Sequence, residues 1–290
     1  MRPLPRFQLH SPVTLRGALE LLDEFEDAKP LAGGTDLLVA MREGEQAPSH
    51  LVDLGWIPEL SYVEEGEGYV RIGATATLAQ IASSPAAAKL PALLDALRVM
   101  GSPQIRNRGT LAGNLVNASP AADTACPLLV HGGEVVAASV EGSRVIPLEE
   151  FFTGPKKCCL ESNELVVEVR APIPPEGSSS AYVRLGRRKG FTLSVVGAAV
   201  YLEVEDGVCV EASAAYGSVA PTPLKLEEVG EALEGGPLTP ERVEAAAALS
   251  AQLVNPITDI RGTAEYRRDM CPVLTRRAVE MALGRLGVEA

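Results

Sequence analysis

The run Pro172, Pro174, Pro175, Gly177, Ser178, Ser179, Ser180 most constrains how this chain can fold. Proline fixes φ and carries no backbone donor, and glycine and serine bring little to bury, so neither helical nor strand periodicity passes through it. The chain therefore divides near residue 177, into 1–176 and 177–290. Its 290 residues already exceed what one hydrophobic core usually serves.

Before the break, Leu15, Ala18, Leu19 and Leu22 have helical spacing. Pro30 and Leu31 lead as a short strand into Gly33 and Gly34, and Leu37, Leu38 and Met41 start a second helix, with Thr35 or Asp36 placed to cap it. A parallel strand is expected at 52–54, a strand and turn at 69–78, a helix over 86–100, and a loop through the glycine- and arginine-rich stretch 101–114. Asp123 is placed to cap a short helix ending at Leu129; a hairpin should turn around Gly142, and a strand should run over 164–170. After the break, 181–185, 194–204 and 208–217 predict a three-stranded antiparallel meander turning at Asp206-Gly207. Helices follow from near Leu224, Thr239 and Thr263, and Pro272 should kink or restart the last.

Charge and composition narrow the functional classes. With 38 acidic against 26 basic side chains, a net charge of −12 opposes attraction to nucleic acid or anionic lipid. The most apolar stretch, 193–202, is too short to cross a bilayer and runs into Glu203 and Glu205, so it reads as a buried strand. The N-terminal Arg2, Pro3, Pro5 and Arg6 lack a secretory apolar core, which makes a cytoplasmic location with five reduced cysteines the expectation. Those cysteines have no CxxC spacing, and three isolated histidines offer no metal set. Rossmann GxGxxG, P-loop and HExxH forms are missing too.

Two glycine turns carry the chemistry. Ala32, Gly33, Gly34, Thr35 and Asp36 can converge backbone N–H groups on an anion, or can simply turn a strand into a helix. Thr110, Leu111, Ala112, Gly113 and Asn114 offer a second cluster, and two such loops could clasp one pyrophosphate. Asp123 could accept from sugar hydroxyls or cap its helix. Arg106 with Arg108, and Arg184, Arg187, Arg188 with Lys189, are basic clusters suited to phosphate, a partner or solvent. Phe191 could face a flavin or a core.

Five pieces in order, AGGTDLL (32–38), GSPQIRNRGTLAGNLVNASPAAD (101–123), FFTGP (151–155), RLGRRKGFTLSVVGAA (184–199) and EYRRDMCPVLTRRA (265–278), resemble the FAD-binding medium subunit of the xanthine dehydrogenase and carbon monoxide dehydrogenase family. The resemblance covers nearly the whole chain. It implies an α+β fold: a flavin domain of the vanillyl-alcohol oxidase and p-cresol methylhydroxylase type, with subdomains of about 1–56 and 57–176, then a C-terminal sheet-and-helix domain. By position, Ala32 to Asp36, flanked by Leu31 and Leu37, and Thr110 to Asn114, with Gly101 opening that piece, would hold the pyrophosphate of a noncovalent FAD. Asp123 would hold FAD hydroxyls, Val166 would lie near the isoalloxazine, and Arg184 and Lys189 would lie in the vicinity of a flavin-proximal cation.

The resemblance further implies a large subunit with the molybdenum cofactor, a small subunit with 2Fe-2S clusters, and a dimer of heterotrimers in which this chain is the electron exit. Some relatives insert a cysteine-rich loop for a 4Fe-4S cluster, and no such insertion is present. Cys158 and Cys159 read as packed thiols. The competing expectations are a self-contained flavin oxidase or reductase, which only 4% aromatic residues argues against, and a scaffold that has lost FAD.

Overall fold

The computed structural model describes residues 3–188 and 192–288. The fold is α+β, and its sheets are built as follows. Strands Gln8–His10, His50–Asp53 and Lys29–Leu31 form a parallel sheet in that spatial order. The helix Leu15–Glu24, capped by Thr14, buries the expected Ala18, Leu19 and Leu22 in a core that includes Val52 and Leu54. Next comes an antiparallel five-stranded sheet in the order Val63–Gly66, Tyr69–Gly73, Leu165–Pro172, Glu134–Ser139, Gly142–Pro147. The last two strands are the hairpin expected around Gly142.

Local chemistry explains where the elements differ from expectation. The helix foreseen over 86–100 is a 3-10 turn, Ala86–Lys89, followed by Pro91–Val99. Pro91 lacks the N–H that would continue the first and holds Leu90 outside helical dihedrals. The stretch 101–114 is not loop throughout. Ser102 caps Pro103–Arg106, and Thr110 caps Leu111–Val116 by accepting from Gly113 N at 3.1 Å. Asp123 does not cap the helix Ala125–Val130, which has no side-chain cap.

The C-terminal sheet has four strands, not three: Ser178–Gly186, Ser194–Glu205 and Val208–Gly217, with the two residues Leu224–Lys225 added at its edge. Pairing with Ala215 and Tyr216 keeps Leu224 out of the following helix, which starts at Glu227. The helix Ala264–Leu286 runs unbroken through Pro272, so the expected restart does not occur. Burial of Leu274, Ala278, Val279, Ala282 and Leu283 against the sheet holds the helix together despite the missing donor.

Both faces of this sheet are buried, which accounts for the continuous apolar run in its second strand. Val196, Ala198, Val200 and Leu202 face the helix Ala264–Leu286, against which Pro240–Leu253 packs, while Ala199 and Tyr201 join Tyr182 and Ala215 in the core of the preceding part. Polar groups are trapped at that second face. The Asp95 carboxylate accepts from Arg285 at 2.7 Å and from Tyr182 N at 3.2 Å, and Ser180 Oγ accepts from Ala92 N at 3.1 Å. His131 lies 2.8 Å from the same hydroxyl and edge-on to Tyr201.

Burial pushes the His131 imidazole down to about 4. The unfolded chain takes up that proton near pH 6.5 and the folded chain only near pH 4, so the stability is complete above 6.5 and drains away as pH falls through this window. His131→Gln, which keeps a hydrogen-bond partner for Ser180, should therefore flatten the decline between pH 6.5 and 4 by up to ~3 kcal/mol, read from denaturant midpoints at each pH.

Candidate functional site: a cleft between two glycine turns

The first turn follows the strand Lys29–Leu31 and the second precedes the helix Leu111–Val116, and they meet through backbone. A Cβ placed on Gly33 would lie 1.9 Å from the Arg108 carbonyl oxygen, so only glycine permits the approach. Gly34 has φ +71°, the left-handed conformation that turns the chain into the helix Leu37–Glu43. The second turn is anchored in turn, because Leu78 N donates to Gly109 O at 2.9 Å and Thr77 bridges to Thr110.

Between the turns lies a cleft of about 400 Å³. Leu31, Ala32, Gly33, Gly34, Thr35, Asp36 and Leu37 line one side, Thr110, Gly113 and Asn114 the other, and Val166 the far wall. Among the described residues no protein acceptor takes the backbone N–H of Gly33, Gly34, Thr35 or Asp36. Asp36 begins the helix without a side-chain cap bond. Asn114 Oδ1 accepts from the Thr124 hydroxyl at 2.7 Å, which fixes the amide with its NH₂ end left to donate. Thr110 accepts from Gly113 N as a helix cap, which removes that N–H from the free donors and leaves the Thr110 O–H able to donate.

Val166 sits at a β-bulge where pairing with Glu134–Ser139 shifts register. One extra residue there turns the strand locally, as bulges beside binding sites do. Leu78, Met100 and Ile105 make part of the wall apolar, while Lys29, Asp36, Lys156 and Glu164, the last paired with Arg144, supply charge.

Gly101, Asp123 and Arg184 lie outside the cleft wall, and Leu111 of the second cluster is buried in the core. Gly101, at φ +55°, forms the turn between Met100 and the Ser102 cap. Asp123 is buried with both oxygens taken: Oδ1 by the hydroxyls of Tyr182 (2.6 Å) and Ser194, Oδ2 by Arg184 at 2.8 Å. Arg184 also donates to the carbonyls of Val99 and Thr192. Burial pushes the Tyr182 phenol well above its ordinary value, so it stays a donor. The pair is thus a buried cross-link between the strand Ser178–Gly186 and the segment that carries Asn114's partner Thr124. Lys189 and Phe191 lie outside the described residues.

Sequence reasoning missed Lys156, Asn117 and Cys158 on the wall. The quoted piece FFTGP ends one residue short of Lys156, which was the available signal. Cys158 packs against the core as expected but also faces the cleft, whereas burial raises the Cys159 thiol. All five cysteines are free. Arg187 donates to Ile260 O at 2.9 Å and Arg106 to Met100 O at 2.8 Å, so these two side chains stay tied to their own fold.

This arrangement matches known proteins over nearly its whole extent. Residues 5–174 fit the FAD binding domain in molybdopterin dehydrogenase, and 181–282 the CO dehydrogenase flavoprotein C-terminal domain. The chain belongs to that family of FAD-binding medium subunits. It is 38% identical to the carbon monoxide dehydrogenase medium chain of Afipia carboxidovorans, covering 96% of this chain and 97% of the relative. Identity is 37% to the nicotine 6-hydroxylase medium subunit of Paenarthrobacter nicotinovorans, covering 95% and 97%. The solved carbon monoxide dehydrogenase of Hydrogenophaga pseudoflava superimposes with a TM-score of 0.94 at 35% identity, covering 98% of this chain and 99% of that one. This medium subunit is accordingly a flavoprotein subunit of an oxidoreductase.

The Asp123–Arg184 pair gives a stability test. Asp123→Ala strands a buried guanidinium and should cost about 3–5 kcal/mol in chemical denaturation, whereas Asp123→Asn, which keeps an acceptor for Tyr182, should cost less.

Proposed function

We propose that the cleft holds one noncovalent FAD and that the chain is the electron-exit subunit of a molybdenum hydroxylase. One observation carries this: the unshared N–H groups of Gly33, Gly34, Thr35 and Asp36 share a cleft with a second glycine turn. Convergent backbone donors suit the oxygens of a pyrophosphate. The residues present fit the group. The first turn supplies donors, Asn114 adds an oriented amide, Val166 and Leu165 offer an apolar wall, and neither glycine turn contains a histidine or cysteine for a covalent link. Asp123 supports the site from behind, through its neighbour Thr124 and the Asn114 amide.

When bound, FAD can take electrons singly from iron–sulfur clusters and release them as a pair. What the chain's own residues do is bind and orient: Gly33 keeps the two turns in register, and the bulge at Val166 shapes the far wall. The partners we propose are a large subunit with the molybdenum cofactor and a small subunit with 2Fe-2S clusters, assembled as a dimer of heterotrimers. The medium-chain and medium-subunit names of the relatives support a multi-subunit assembly. We place the domain boundary near residue 177, between the two family matches, and the complex in the cytoplasm, where free cysteines stay reduced. Among the described residues no helix is long and apolar enough to cross a membrane.

Acid precipitation of the purified complex should release FAD to the supernatant, and chromatography would distinguish it from FMN. Gly33→Val forces its side chain into the Arg108 carbonyl and should lower flavin content severalfold in the same assay. Full occupancy in the variant would count against the two-turn cradle.

The electron-exit reading is tested in the deflavinated complex, mixed anaerobically with the substrate of its molybdenum subunit. The clusters should still be reduced, as read by electron paramagnetic resonance, while delivery to the external acceptor stops. Clusters that stay oxidised would place substrate oxidation on this subunit instead.

A further inference from the structure

A carboxylate stands where the proposed cradle needs none. Asp36 lines the cleft beside the free N–H groups, and its charge would repel an incoming diphosphate. Its Oδ1 accepts from Asn117 Nδ2 at 2.9 Å, and Asn117 Oδ1 accepts from Lys156 Nζ at 2.9 Å. The amide is thereby held with its positive end on the carboxylate and its negative end on the ammonium. Among the described residues no carboxylate lies within ion-pair distance of Lys156, so the ammonium is not neutralised by another acidic group.

The backbone also commits Lys156 to this place. It has φ +62°, uncommon for a residue with a side chain, and its N–H donates at 2.8 Å to the carbonyl of Ala118, itself at φ +44°. The turn carrying Lys156 and the turn carrying Asn117 therefore fix each other, in conformations that persist only where the surroundings enforce them.

We infer that Lys156 is a positioning and charge-balancing residue for a diphosphate-bearing ligand: through Asn117 it offsets the charge of Asp36 and makes the cleft selective for FAD over flavins lacking the diphosphate. This rests on the cofactor reading above and assigns a residue outside both glycine turns. Lys157, next along the chain, does not line the cleft and gives a control of equal charge.

The test uses the full-length flavin-free chain and three probes: FAD, ADP for the diphosphate alone, and riboflavin for the ring alone. Fluorescence quenching reads the flavins and calorimetry reads ADP. Lys156→Gln should weaken FAD and ADP about fivefold at low salt, the size of one part-exposed charge interaction, and leave riboflavin unchanged. Lys156→Arg and Lys157→Gln should bind as wild type. Adding Asp36→Asn to Lys156→Gln should recover most of the loss, because the repelling charge is gone. Unchanged FAD and ADP affinities in Lys156→Gln, an equal loss for riboflavin, or no recovery with Asp36→Asn would each overturn the inference. A wild-type chain binding neither FAD nor ADP would instead sink the cofactor reading, and this inference with it.

Discussion

The cleft exists because two stretches of backbone touch at Gly33 and Arg108. With no Cβ at Gly33, the carbonyl of Arg108 can occupy the space a side chain would need, and the two turns close to a separation at which one ligand can meet both. Everything near the contact serves to keep it. Leu78 N and Thr77 tie down the second turn from the far side, Ser102 and Thr110 stop the short helices around it from fraying, and the positive φ of Gly34 turns the first strand away at once.

Behind the cleft, the structure is secured by polar groups buried at an otherwise apolar face. Asp95, Ser180, His131, Asp123 and Arg184 join the helix Pro91–Val99 and its neighbours to the strand Ser178–Gly186. Such groups contribute little over an apolar replacement while paired, but breaking any pair leaves a partner unsatisfied. They therefore specify one docking arrangement of the C-terminal sheet on the core before it. That arrangement sets Thr124 under Asn114.

The sequence makes the glycine turns readable because their residue types answer a steric demand, and strand-to-helix transitions show in the change of apolar period. It makes the C-terminal meander readable for the same reason, down to the Asp206-Gly207 turn. Capping was less visible: Ser102-Pro103 and Thr110 with Gly113 signal helix starts, but the surrounding glycines and arginines argued for loop. The role of Asp123 was hidden because its partners Tyr182, Arg184 and Ser194 are about 60 to 70 residues away. Lys156 was hidden likewise, since only the fold sets it against Asn117, 39 positions earlier.

One contact bears on how such a chain is made. Arg285, in the last turn of the helix Ala264–Leu286, donates to Asp95 and to the carbonyl of Ser180, across sequence separations of 190 and 105 residues. During synthesis Asp95 must wait for 190 further residues before this partner leaves the ribosome. The flavin-binding part can gather its sheets earlier, but its face toward the C-terminal sheet lacks this contact until then, and assembly with neighbouring subunits is best timed after Arg285 has docked.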